Sequence, residues 1–202
     1  MFFLNYATIV DPLLRGIRPY TIDFSGMKAG DRVLDVCCGT GDQVFYYARA
    51  GIIATGIDLD PNMLKIARKD KRNQGLTSAS FHLGDVQGLP FKDNSFDYAS
   101  ISFALHEKER DTRDKVVTEM KRVVRKGGAL IFIDFQVPLP KNLLPYLVKA
   151  IEFMAGRNHH RCFRDYLEQG GLGEILKKNG LSEEKRDYLN DGLITIIKAG
   201  NQ

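Results

Sequence analysis

Residues 33–41 read Val-Leu-Asp-Val-Cys-Cys-Gly-Thr-Gly, and the fold turns on this stretch. Arg32 to Val36 is short, mostly apolar and β-branched, the pattern of a buried strand. Cys37-Cys38-Gly39-Thr40-Gly41 then forms a turn into residues 43–49, which read as a helix. Gly39 and Gly41 permit positive φ and let a ligand come close to the backbone. Ligands of open parallel sheets bind at the carboxyl ends of strands, where the next helix presents free N–H groups. The turn is not of the nicotinamide type: G-x-G-x-x-G requires a third glycine at position 44, and Val44 stands there.

Outward from the turn, short apolar runs alternate with amphipathic stretches. Residues 52–58, 79–83, 96–102 and 129–135 read as further strands. Between them, a helix starts at Pro61 behind an Asp60 cap and runs to about 72, and another covers 111–125, ended by Gly127-Gly128. This rhythm predicts an α/β fold, a doubly wound and mostly parallel sheet with helices on both faces. Asn190-Asp191-Gly192, between the strand-like runs 184–189 and 193–198, predicts a terminal antiparallel hairpin. Residues 3–20 read as a helical lead-in interrupted by Pro12 and Pro19, and 138–180 as mostly helical with a break at 156–160.

Composition narrows the function. A length of 202 residues suits a single domain over 1–202, with a 1–30 lead-in and a 138–180 insertion covering the ligand side. The net charge is only +4 and no long basic run occurs, which argues against nucleic acid as a partner. Cys37, Cys38 and Cys162 show no zinc-type spacing and no disulfide framework, so no metal is expected and a reducing, cytoplasmic setting fits. The N-terminus lacks a signal-peptide pattern and no apolar run is long enough to span a bilayer.

Two acids extend the site. Asp58 closes the second strand, 17 residues after Gly41, where a carboxylate accepts both hydroxyls of a ribose. Asp85, in Gly84-Asp85-Val86 after the third strand, suits an adenine amino group; a turn acid bonded to its own backbone is the plainer alternative.

With these residues in place the chain resembles the class I S-adenosylmethionine-dependent methyltransferases, and is similar to the branch holding the ubiquinone and menaquinone C-methyltransferases. The matching segments are VLDVCCGTGD at 33–42, GIDLDPNML at 56–64, GDVQGLPF at 84–91, NSFDY at 94–98 and RVVRKGGAL at 122–130, in register. The resemblance implies a Rossmann-like seven-stranded sheet and transfer of a methyl group from S-adenosylmethionine to a small molecule, leaving S-adenosylhomocysteine. It also implies roles: Asp35, Cys37, Gly39, Thr40 and Gly41 around the methionine part, Asp58 on the ribose, Leu59 and Met63 along the adenosine, Asp85 and Val86 on the adenine, and Ser102 near the sulfonium. Cys37 departs from the family, whose turn usually begins with glycine.

On the acceptor side, His106 and Tyr6 are the candidate catalytic residues; the plainer alternatives are a helix-capping or half-exposed histidine at 106 and core packing at Tyr6. His159-His160, among Arg157, Arg161 and Arg164, reads either as an exposed basic loop or as a rim suited to an anionic acceptor. Leu143, Leu144, Leu147, Val148, Ile151 and Met154 repeat at helical spacing, which reads as core packing or as a hydrophobic acceptor pocket with peripheral membrane contact. A catalytically silent cofactor-binding protein is the competing reading; monomer and homodimer both remain open. Asp58→Ala is expected to weaken cofactor binding with little loss of stability.

Overall fold

The sheet is built around β1 (Arg32–Val36), which has β2 (Ile53–Asp58) on one side and β4 (Phe96–Ser102) on the other, both parallel to it. β3 (Ala79–Leu83) extends the first side, and β5 (Val124–Phe135), β7 (Ile194–Gly200) and β6 (Ser182–Leu189) the second. The order is β3-β2-β1-β4-β5-β7-β6, with β7 antiparallel to both its neighbours. The computed structural model describes residues 16–142, 144–154 and 156–202. The predicted architecture, doubly wound and parallel with a terminal antiparallel hairpin, is the observed one. Tyr6 and Pro12 lie outside the described residues.

Seven helices are seen among the described residues: α1 (Ile17–Ser25), α2 (Asp42–Arg49), α3 (Pro61–Gln74), α4 (Arg110–Val123), α5 (Leu144–Met154), α6 (Arg157–Gln169) and α7 (Gly171–Lys178). The Asp60 side chain accepts the Asn62 N–H at 2.8 Å and Pro61 follows it, so α3 begins as its sequence predicts. Pro19 does not interrupt the lead-in helix. It sits in the first turn of α1, where a missing N–H breaks no intrahelical bond.

Central strands are buried on both faces, which is why they read as mostly apolar runs rather than as an alternating pattern. Val33, Leu34 and Val36 of β1, Leu130 to Ile133 of β5, and Ile194, Ile196 and Ile197 of β7 are all in the core. The outer strand β6 instead carries Glu183, Glu184, Lys185, Arg186 and Asp187, charges that protect an open edge.

Gly127-Gly128 has a different purpose from the predicted helix stop. The helix ends at Val123, and the glycines lie inside β5, where the register against β4 slips between Phe96 and Tyr98. A Cβ on Gly128 would stand 2.4 Å from the Asp97 carbonyl oxygen, so glycine is needed for this bulge. At the hairpin, Asn190, Asp191 and Gly192 all take positive φ, as the Asp-Gly signal requires.

Candidate active site

The strand order reverses at β1, since the chain leaves it toward β2 and later returns on its other side as β4. This switch point opens a crevice at the carboxyl ends of the parallel strands. Residues 37–41, Asp58, Gly84-Asp85 and 102–107 all lie at that end of the sheet.

The turn after β1 holds three successive conformational demands. Cys37 has φ +58°, Gly39 +52° and Gly41 +82°. Cys37 therefore keeps the left-handed backbone that glycine ordinarily supplies, which costs a residue bearing a Cβ about 1–2 kcal/mol. The two glycines differ in purpose. A Cβ on Gly39 would point into open space, leaving room for a ligand against the backbone. A Cβ on Gly41 would strike the Phe81 ring at 2.6 Å, so Gly41 is required by packing on β3 rather than by ligand approach. Thr40 lies between them, half-buried.

Neither thiol is a nucleophile. Burial pushes Cys37 up to about 12 and raises Cys38 further, so both are protonated at neutral pH. Cys38 packs instead: its Sγ would lie 2.7 Å from a Cβ on Gly56.

Asp58 braces the turn. One carboxylate oxygen accepts the Gly39 N–H at 2.8 Å, and the other accepts the Asp60 N–H at 2.9 Å. Each oxygen keeps a lone pair for a ribose hydroxyl. These two hydrogen bonds from the backbone revise the expectation for Asp58→Ala, which now includes a loss of stability. Leu59 and Met63 leave large apolar surface exposed beside it, as a site for an aromatic ring requires. Asp85 is exposed and accepts the Gln87 N–H at 2.9 Å, the turn bond of the plainer reading; its second oxygen accepts more loosely from the Gln87 side-chain amide at 3.4 Å. Val86 beside it is buried.

Asp35 and Ser100 are register partners on β1 and β4, and the Ser100 hydroxyl donates to Asp35 at 2.7 Å. Burial pushes the Asp35 carboxyl up to about 7, against the lowering effect of that hydrogen bond and of Arg18; the nearby Asp58 adds to the rise. The Ser102 hydroxyl is buried with no hydrogen-bond partner among the described residues. An open cradle at Gly39, an orphaned hydroxyl at Ser102 and a buried carboxyl at Asp35 fit a bound polar group.

His106 is fully buried, which rules out the half-exposed reading of this residue. Asp134 holds it twice: Oδ1 accepts from Nδ1 at 2.7 Å, and Oδ2 from the backbone N–H at 3.2 Å. Burial acts to lower the imidazole pKa, but Asp134, Glu152 and Glu107 outweigh it and raise it. Arg113 fixes the preceding residue, donating to the Leu105 carbonyl at 2.9 Å while also binding Cys162 and Asp165.

His159 turns inward, with Nε2 2.7 Å from a Glu152 oxygen. Arg161 is paired with Glu109, and Arg164 with Glu168 at 3.5 Å, so much of the basic rim is neutralised. The apolar spacing over 143–154 is divided: Val148 is buried, while Met154 is 71% and Phe153 69% exposed, and Leu143 and the side chains of Leu144, Leu147 and Ile151 lie outside what is described.

Sequence reading missed Asp134 and Glu152. Both signals were present: an acid inside the apolar run of β5, and an acid one helical turn after buried Val148.

Residues 33–128 match the family described as "Methyltransferase domain". The demethylmenaquinone methyltransferase of Renibacterium salmoninarum is 31% identical over 195 residues, covering 90% of this chain and 79% of that protein. A ubiquinone/menaquinone biosynthesis C-methyltransferase of Hahella chejuensis is 36% identical over 214 residues, covering 95% and 85%. In fold, the chain is similar to a SAM-dependent methyltransferase from Aquifex aeolicus, with a TM-score of 0.69 at 20% identity over 90% of this chain and 88% of that one. The strand order, the glycine turn and these relatives together place the chain in the S-adenosylmethionine-dependent methyltransferase family, to which it belongs.

Proposed function

We propose that this methyltransferase acts on a carbon atom of a hydrophobic, quinone-type ring. S-adenosylmethionine, when bound, supplies an electrophilic methyl group on a sulfonium, and transfer is an in-line displacement. The work of the chain is to align the acceptor with that methyl group and exclude water. Asp58 takes the ribose, Leu59 and Met63 the adenosine, Asp85 and Val86 the adenine. Asp35, Cys37, Gly39, Thr40, Gly41 and Ser102 form the end where the sulfonium rests. His106, held by Asp134, is the acceptor-side residue. We read 1–202 as one domain, with 138–180 covering the acceptor.

One observation carries the acceptor class: α5 presents Tyr146, Phe153 and Met154 to the surface, with Lys141 and Lys149 beside a groove that Leu139, Pro145 and Tyr146 line. Large exposed apolar side chains flanked by lysines suit contact with an anionic lipid surface. The relatives' names, a demethylmenaquinone and a ubiquinone/menaquinone biosynthesis methyltransferase, point the same way. No described helix is long and apolar enough to cross a membrane, and the proposed contact is a peripheral one. Neutralisation of the Arg161 and Arg164 rim argues against the alternative of an anionic acceptor.

The test is turnover. Enzyme with S-adenosylmethionine and a reduced demethylated naphthoquinone, with and without anionic vesicles, should release S-adenosylhomocysteine and a ring-methylated product, faster with vesicles. Cofactor binding without turnover on benzoquinols or naphthoquinols refutes the reading and favours a silent cofactor-binding protein.

A further inference from the structure

Three elements far apart in sequence bring ligand-type atoms to one buried point. His106 follows β4, Glu152 is near the end of α5, and His159 is in the first turn of α6. Their atoms all lie within 4.8 Å of one another. His106 Nε2 is 3.6 Å from one Glu152 oxygen, and His159 Nε2 is 2.7 Å from the other.

These atoms converge without satisfying one another. His106 Nε2, the Glu152 Oε2 oxygen and His159 Nε2 are buried and have no hydrogen-bond partner among the described residues. The Glu152–His159 approach is short but misdirected for a hydrogen bond, and the His106–Glu152 separation is too long for one. His106 and Glu152 are at most 1% exposed, and leaving such groups unpaired in a low-dielectric interior is costly. Asp134 is an acceptor, so the Nδ1 hydrogen lies between the two groups and Nε2 is the ring nitrogen left facing Glu152. Two imidazole nitrogens facing one buried carboxylate call for positive charge among them, and a metal ion supplies it while giving all three atoms a partner.

We propose that His106, Glu152 and His159 form a binding site for one borderline divalent cation of the zinc class. Two imidazoles and one carboxylate are a three-ligand zinc set that leaves the fourth position open. Nitrogen donors select against magnesium and calcium, which prefer all-oxygen shells. The spacing fits: tetrahedral bonds of about 2.0–2.1 Å place ligand atoms about 3.3 Å apart, between the two separations seen here. Asp134 completes the arrangement as the carboxylate that orients a ligating histidine through its second nitrogen. The cysteines take no part. The expectation of no metal rested on thiolate spacing, which is blind to a set contributed by residues 106, 152 and 159.

The test is metal binding by untagged protein, independent of activity. Apo protein loaded with zinc and gel-filtered should retain one equivalent by elemental analysis. Cobalt(II) should give the intense visible bands of a four-coordinate site, without the near-ultraviolet charge-transfer band of thiolate ligation. His159→Ala, at the partly exposed edge and least disruptive to folding, should lose the equivalent. His159→Cys should restore it and add the thiolate band. Asp134→Asn should weaken affinity by about 10–100-fold. Wild-type protein that retains no zinc, or retains it equally in folded His159→Ala, overturns the proposal and leaves a cluster neutralised by protons.

Discussion

His106 Nδ1 and Asp134 Oδ1 lie 2.7 Å apart, and both side chains are sealed from solvent. The pair ties the loop after β4 to the end of β5, since Asp134 also accepts the His106 and Phe135 backbone N–H groups at 3.2 and 2.8 Å. Removing the carboxylate strands three donors at once. Asp134→Leu should therefore lower stability by about 3–5 kcal/mol in urea unfolding, the range for breaking a buried pair. Asp134→Asn, which still accepts through its carbonyl, should lose less. A loss below about 1 kcal/mol in Asp134→Leu would show that the pair is dispensable.

The left-handed backbone at Cys37 makes an unusual ordering of variants. Cys37→Gly relieves strain of about 1–2 kcal/mol but gives back chain entropy of about 0.5–1 kcal/mol and some thiol packing, so it should be nearly neutral. Cys37→Val is larger and more apolar, yet a β-branched residue is most strained at φ +58°. It should destabilise by about 2 kcal/mol or more. Thermal and urea unfolding of the two variants decide this; equal stabilities would remove the backbone argument.

Asp35 predicts a pH dependence. Its carboxyl is held at about 7 in the folded protein against an ordinary 3.8, so between those values the folded state binds a proton that the unfolded state has released. Stability from this group is thus complete at low pH and falls as pH rises toward about 7, by at most about 1.4 kcal/mol per pH unit. Unfolding of the cofactor-free protein at pH 5 and pH 7.5 should show Asp35→Asn with a flatter profile than wild type. Parallel profiles would contradict the buried, protonated acid.

At Asp58, cofactor affinity and stability should fall together. Asp58→Ala removes the acceptor for Gly39 and Asp60 as well as the proposed ribose contact. Expected are at least a tenfold weaker S-adenosylhomocysteine affinity by calorimetry and a loss of about 1.5–3 kcal/mol in unfolding. Asp58→Asn should recover part of both. Unchanged affinity in a folded Asp58→Ala would refute the ribose assignment.

Local features were readable because their causes are local. Apolar runs marked β1 and β4 to the residue, since a strand buried on both faces leaves that pattern whatever surrounds it; the edge strand β3 was also marked to the residue. Asp60-Pro61 marked a helix start, and Asn190-Asp191-Gly192 a hairpin, because a cap and a positive φ depend on the residue itself. Gly127-Gly128 misled for the converse reason: a helix stop and a β-bulge ask the same freedom of the backbone, and only the partner, the Asp97 carbonyl, tells them apart.

By itself, the sequence determined the order of elements, the glycine turn and the acids at the strand ends, enough for the fold and the methyltransferase family. Tertiary structure decided what those residues touch. It gave Gly41 to Phe81 and Gly39 to open space, set Asp58 to bracing the turn, and buried His106 against Asp134, Glu152 and His159. Such contacts join residues tens of positions apart. Their chemistry comes from distance and exclusion of water, which no local pattern of residues encodes.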